Sequence, residues 1–199
     1  MTAAPPTSNY GKYQTGNPVM RWVIARFLDR VVALVGAQEP RTVVDLGCGE
    51  GMVARRLSGD IDYLGLELNP VAVEVARREV PAMRFEVADI VRRAPERDWA
   101  DVALCLEVLE HLDDPEPAVA RIAEWTRGVA IVSVPWEPFF RGGNFLRGKY
   151  VARLGNHPEH VQQFGPRALS RLLERHFRVV RIETCFPWLI AVAAGTRES

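Results

Sequence analysis

The sequence predicts an α/β protein, a mainly parallel sheet with helices on both faces. Two observations carry that prediction. From residue 41 onward, short apolar runs of strand length alternate with segments of helical periodicity. Strands separated by helices pair in parallel and bury both sheet faces. Near the end, residues 178–184 and 188–193 make two strands joined by a turn too short for a parallel crossover, so the last strand runs antiparallel.

The elements follow in order. Residues 1–17 are small, polar and Pro-containing, and read as a flexible arm that can fold over a bound ligand through Tyr10 and Tyr13. Over 18–37, Val19, Trp22, Val23, Phe27 and Val31 recur at helical steps, and Pro18 suits the first helical position. The polar side of this helix is basic, with Arg21, Arg26 and Arg30. Residues 41–48 form a β-branched strand ending in glycines, and 51–57 read as helical. Residues 62–68 make a second strand. Asn69 is an N-cap and Pro70 a first helical residue for a helix reaching 80. Residues 83–89 and 101–107 are the third and fourth strands, 115–127 a helix and 129–134 a fifth strand. The rhythm breaks over 136–164, a long aperiodic stretch rich in Gly, Pro, aromatics and Arg, which reads as an insert forming a substrate lid. A helix over 166–177 leads into the last two strands. No repeat or linker divides the chain, so 1–199 reads as a single domain.

Composition is that of an ordinary globular protein, 48% apolar and 25% charged. Basic and acidic residues number 25 each, and this zero net charge argues against a broad nucleic-acid surface. Cys48, Cys105 and Cys185 are odd in number and scattered among apolar runs; they read as buried thiols, not as disulfides or a zinc site. The N-terminus lacks a basic start followed by an apolar core, and no apolar run approaches the ~20 residues that span a bilayer. A cytoplasmic location is expected.

The first strand ends in Asp45-Leu46-Gly47-Cys48-Gly49-Glu50-Gly51. Glycines there let the backbone approach a ligand closely, and a following helix would offer its N-terminal amides. The spacing is G-x-G-x-G, with Met52 where the third glycine of a dinucleotide site belongs, and no Lys follows as in a phosphate-binding P-loop. Glu67 ends the second strand, where a carboxylate can accept from both hydroxyls of a ribose. Asp89 ends the third, where a carboxylate suits the exocyclic amine of adenine.

On these residues the chain resembles the class I, seven-stranded S-adenosylmethionine-dependent methyltransferases, over roughly residues 40–195. Asp45, Gly47, Gly49 and Gly51 match the first motif of that family. Glu67 matches its ribose acid and Leu68 the apolar residue packing on adenine. Asp89 matches its adenine acid, with Ile90 beside the ring. The string from Cys105 through Leu106, Glu107 and Glu110 to Leu112 is similar to the fourth motif of the small-molecule subgroup that includes ubiquinone-pathway O-methyltransferases. The resemblance implies a three-layer Rossmann-like fold with an antiparallel last strand, S-adenosylmethionine as cofactor, and cofactor contacts from Asp45, Gly47, Gly49, Gly51, Glu67, Leu68, Asp89, Ile90 and Leu106.

Methyl transfer from a sulfonium asks the protein to align and desolvate the acceptor, and a hydroxyl acceptor gains from a general base. His111, just past the fourth strand, is the candidate base. His157 and His160, in the insert, are alternatives. Pro158 between them argues against a helical metal pair, and no metal is expected. His176, near a helix end, reads as structural. Aromatic and basic residues of the insert, Arg141 and Arg147 among them, suit a small acceptor with an apolar or aromatic body and a negative group. The competing readings are a protein or RNA methyltransferase and an inactive cofactor-binding module. The Asn/Asp-Pro-Pro-Tyr/Phe string of adenine and glutamine methylators is missing: the fourth strand ends in Cys105-Leu106-Glu107.

Overall fold

Asn17 opens the first helix, α1 (Pro18–Gly36), by accepting from the backbone N–H of Val19 at 2.9 Å. Pro18 loses nothing there, because the first N–H of a helix has no helical partner. The computed structural model describes residues 17–95, 99–136 and 164–195. After α1 come β1 (Thr42–Leu46), β2 (Asp62–Glu67), α2 (Pro70–Glu79), β3 (Arg84–Val87) and β4 (Ala100–Leu106). These are followed by α3 (Glu116–Trp125), β5 (Thr126–Pro135), α4 (Pro166–Leu173), β6 (Phe177–Cys185) and β7 (Trp188–Gly195). Asn69 caps α2 as the sequence predicts, accepting from Val71 N–H at 2.9 Å.

The strands form one seven-stranded sheet in the order β3-β2-β1-β4-β5-β7-β6. Pairs from β3 to β5 are parallel, and β7 runs antiparallel to both β5 and β6, as predicted for the last strand. Strand side chains alternate between two separate cores. On one face Val43, Tyr63, Val102 and Leu104 meet Phe27, Leu28 and Val31 of α1 and Val73 of α2. On the other, Val44, Leu64, Ala103 and Cys105 meet Val119, Ile122 and Trp125 of α3 and Leu169 of α4. Phe27 stacks on Trp188 with centroids 4.5 Å apart, and the Arg30 guanidinium grips Glu183 through two nitrogens, so α1 is tied to the β6–β7 edge.

Several boundaries differ from the prediction. The expected helix over 51–57 is a run of turns with a short 3₁₀ segment, Ala54–Arg56. Arg55 N–H donates to the Gly51 carbonyl at 3.1 Å and Leu57 N–H to Val53 at 3.2 Å, but Leu57 leaves the segment extended at ψ 141°, so these turns do not continue into a regular helix. The third strand ends two residues early, because Asp89 turns the chain by accepting from Val91 N–H at 2.9 Å. The helix over 166–177 stops at Leu173 and Phe177 already belongs to β6. The fifth strand starts at Thr126, directly after α3, where the Thr126 hydroxyl donates to the Ala100 carbonyl at 3.0 Å. All three cysteines are buried and free. Among the described residues no helix is long and apolar enough to cross a membrane. The arm up to residue 16 and the insert from 137 to 163, with Tyr10, Tyr13, Arg141, Arg147, His157 and His160, lie outside the described residues.

Candidate functional site

The carboxyl ends of β1, β2 and β4 meet where strand order reverses on either side of β1, which is where α/β sheets open a crevice. β1 delivers Asp45 and then the glycine turn. Gly47 has φ +92°, and a Cβ placed on it would lie 2.3 Å from Val108 Cγ2. Gly47 is therefore dictated both by backbone conformation and by the packing of the segment after β4. At Gly49, with φ +53°, a Cβ would meet nothing within 4 Å among the described residues, so the turn leaves its backbone bare there.

The amides of this turn are not those of a helix N-terminus, which corrects the sequence reading. Gly47 and Cys48 both donate to the Leu66 carbonyl, at 2.7 and 3.1 Å, and Gly51 donates to Cys48 at 3.0 Å. Gly49 donates to the carboxylate of Glu67 at 3.1 Å, whose other oxygen accepts from Asn69 N–H at 2.8 Å. Glu67 thus clasps the turn to the end of β2. Each of its oxygens keeps a second lone pair for a hydroxyl donor.

Asp45 is buried, and its Oδ2 accepts from the Tyr63 phenol at 2.7 Å while its Oδ1 is buried with no hydrogen-bond partner among the described residues. Desolvation pushes the Asp45 carboxyl up to about 6; the Tyr63 hydrogen bond pulls it down and the Glu67 charge pushes it up again. Burial drives the Tyr63 phenol far up, so it remains the donor.

The other predicted site residues distribute unevenly. Leu68 is 67% exposed and Val87, paired with Glu67 across the β2–β3 ladder, is 51% exposed, so the edge beyond Glu67 is apolar and open. Asp89 spends one oxygen on Val91 N–H and meets the Arg92 guanidinium at 3.3 Å. Ile90 is buried in the core with Leu66 and Leu109. Leu106 is half-buried and packs against the α1-side core. His111 is half-buried at the end of a 3₁₀ turn (Leu109–His111), its Nε2 3.9 Å from the buried Glu110 carboxylate. His176 pairs with Glu116 at 2.8 Å, tying the end of α4 to the start of α3.

Sequence reasoning gave no individual role to four residues of this region. Tyr63 looks like an ordinary strand aromatic, and Val108 an ordinary aliphatic. Glu110 sits in a charged string but is 1% exposed. Glu107 adopts φ +58°, a left-handed conformation that costs a non-glycine residue about 1–2 kcal/mol. Its N–H donates to the Ser133 carbonyl at 3.1 Å, which anchors the segment after β4 to β5.

The donor set suits an adenosyl amino acid. An orphaned buried carboxylate oxygen, a clasped turn with open backbone, an acid with spare lone pairs and an exposed apolar residue line one sheet edge. Comparison with known proteins agrees. Residues 20–180 match a family model described as a methyltransferase domain. Over 100 residues the chain is 34% identical to a ubiquinone biosynthesis O-methyltransferase of Alkalilimnicola ehrlichii, covering 46% of this chain and 40% of that protein. It is 33% identical over 96 residues to a trans-aconitate 2-methyltransferase of Methylobacterium radiotolerans, covering 46% and 36%. The chain thus spans well under half the length of these curated relatives. A crystal structure of magnesium protoporphyrin IX methyltransferase from Synechocystis with bound S-adenosylhomocysteine superposes with a TM-score of 0.73 at 20% identity, covering 92% of this chain and 90% of that one. With most of its length inside the family model, on the seven-stranded sheet just described, the chain belongs to the S-adenosylmethionine-dependent methyltransferase family.

Proposed function

We propose that this chain methylates a small molecule, transferring the group to a hydroxyl on an acceptor with an apolar, aromatic or anionic part. The observation that carries the reading is the clasp between Glu67 and Gly49, which brings Asp45, the bare glycine turn and Leu68 to one edge. When bound, S-adenosylmethionine supplies a methyl group on a sulfonium, open to in-line displacement. Asp45 and Gly47 hold the amino-acid end. Glu67 accepts from the ribose hydroxyls and Leu68 covers a face of adenine. Asp89 takes the adenine amine, with Ile90 and Leu106 shaping the walls beneath. His111, at the same strand edge, accepts the acceptor's hydroxyl proton, with His157 and His160 as the alternatives from the insert. The names of the two curated relatives described above, a ubiquinone biosynthesis O-methyltransferase and a trans-aconitate 2-methyltransferase, support a small acceptor.

A thermal-shift titration with S-adenosylmethionine and S-adenosylhomocysteine tests the cofactor role, and both are expected to raise the melting temperature. Labelled methyl transfer to a panel of phenols and hydroxylated carboxylates tests the acceptor. The absence of any shift would sink the cofactor role. A shift with no transfer to any panel member would sink the hydroxyl acceptor and leave a binding module.

A further inference from the structure

The Asp45 carboxylate is surrounded in an unusual way. It is buried at the end of β1, one oxygen tied to the Tyr63 phenol at 2.7 Å and the other without a hydrogen-bond partner among the described residues. The titratable groups acting with it are Tyr63 and Glu67 from β2, Cys48 from the glycine turn and Cys105 from β4. These are a phenol, a carboxylate and two thiols; among the described residues no cation acts with them. A buried carboxylate without a cation is costly while ionised, and the cost falls when either a proton or a cationic ligand arrives.

We propose that Tyr63 is a positioning residue that makes ligand entry a proton exchange: the Asp45 carboxyl, held by the Tyr63 phenol, releases its proton to solvent as a cationic ligand group takes up the free oxygen. This rests on reading the glycine turn as the cofactor site, whose ligand carries an ammonium group at its amino-acid end. The balance is simple. The O–H bond of protonated Asp45 breaks, its proton goes to water, and an ion pair between carboxylate and ammonium replaces it. No covalent change occurs in the ligand.

Tyr63 has a defined part in this. Its hydroxyl donates to the charged form of Asp45 and so favours ionisation, while its ring packs on Phe85 at 5.6 Å between centroids. Removing the hydroxyl alone keeps the ring and takes away the bond. The carboxyl, already raised to about 6, then rises further.

Calorimetric titration of the full chain with S-adenosylhomocysteine between pH 5 and 8, in two buffers of different ionisation heat, reads the exchange directly. For the natural protein we expect net proton release near pH 5.5 and none at pH 8. Affinity should fall about tenfold per pH unit below 6. Tyr63→Phe should move the whole profile to higher pH, with affinity at pH 8 little changed. Asp45→Asn should bind weakly and without the proton release of the natural protein, which sets the baseline. A natural protein that binds with no proton release at pH 5.5 beyond that baseline would overturn the proposal. So would a Tyr63→Phe profile that superposes on the natural one. Failure of the natural protein to bind at any pH would remove the cofactor reading itself, and the exchange with it.

Discussion

Glu67 reaches back across the sheet edge to accept the amide of Gly49 at 3.1 Å, so one carboxylate shapes the turn and faces the ligand. Its replacement must therefore act twice. Glu67→Ala should lower S-adenosylhomocysteine affinity about 10–100-fold, since hydrogen bonds to a charged group contribute ~1.5–3 kcal/mol. It should also lower unfolding free energy, because Gly49 and Asn69 lose their acceptor. Glu67→Gln keeps one acceptor oxygen and should sit between. Calorimetry and urea unfolding on the same samples separate the two losses. Normal affinity in Glu67→Ala would refute the assignment.

Asp45 should cost the fold stability. Its carboxyl rises from an ordinary 3.8 to about 6 on folding, chiefly by desolvation. The native state thus holds a proton that the unfolded chain has released. The stability this lends is present below pH 3.8 and is lost as pH rises through 6. At pH 7.5 the ionised carboxylate costs about 1–3 kcal/mol. Asp45→Asn should accordingly be more stable than the natural protein at pH 7.5, with a smaller advantage at pH 5. Equal stability of the two proteins at both pH values would contradict this.

Gly47→Ala should be destabilising by about 1–3 kcal/mol or more, because its Cβ would overlap Val108 Cγ2 at 2.3 Å in a backbone conformation that already disfavours a side chain. Adding Val108→Ala removes the overlap and should restore part of the loss. What remains measures the backbone strain at φ +92°. A double variant no better than Gly47→Ala would show that the Val108 contact is not the cause.

His111→Ala separates base chemistry from binding. If His111 takes the acceptor proton, turnover should fall about 10²–10⁴-fold while S-adenosylhomocysteine affinity stays within a few-fold. Unchanged turnover on the true acceptor would remove His111 from that role.

Fold class, element order, the antiparallel last strand and the cap at Asn69 were all legible in the sequence, because each rests on local chemistry: apolar periodicity, turn length, a side chain reaching its own backbone. The helix after the glycine turn was not. Met52 to Leu57 has a helical composition, but the chain turns extended at Leu57 after a short 3₁₀ segment, and no propensity scale carries that early ending. The same limit hid Tyr63, whose role exists only because β2 and β1 pair in the register Val43↔Tyr63, setting its hydroxyl beside Asp45. Glu107 was hidden for a related reason. Its left-handed backbone goes with a contact to Ser133 across the β4–β5 ladder that the residue type does not announce.

The position of β7 has a bearing on how the chain is made. Among the described residues β6 pairs only with β7, and β7 slots between β6 and β5. As the chain leaves the ribosome, β6 emerges with no neighbour to receive it and must wait for residues 188–195. A stop codon just before Trp188 would therefore strip two strands from the sheet and bare the apolar flank of β5, where Ile131, Val132 and Val134 lie. A chain cut before Trp188 should aggregate or be proteolysed, not persist as a trimmed protein.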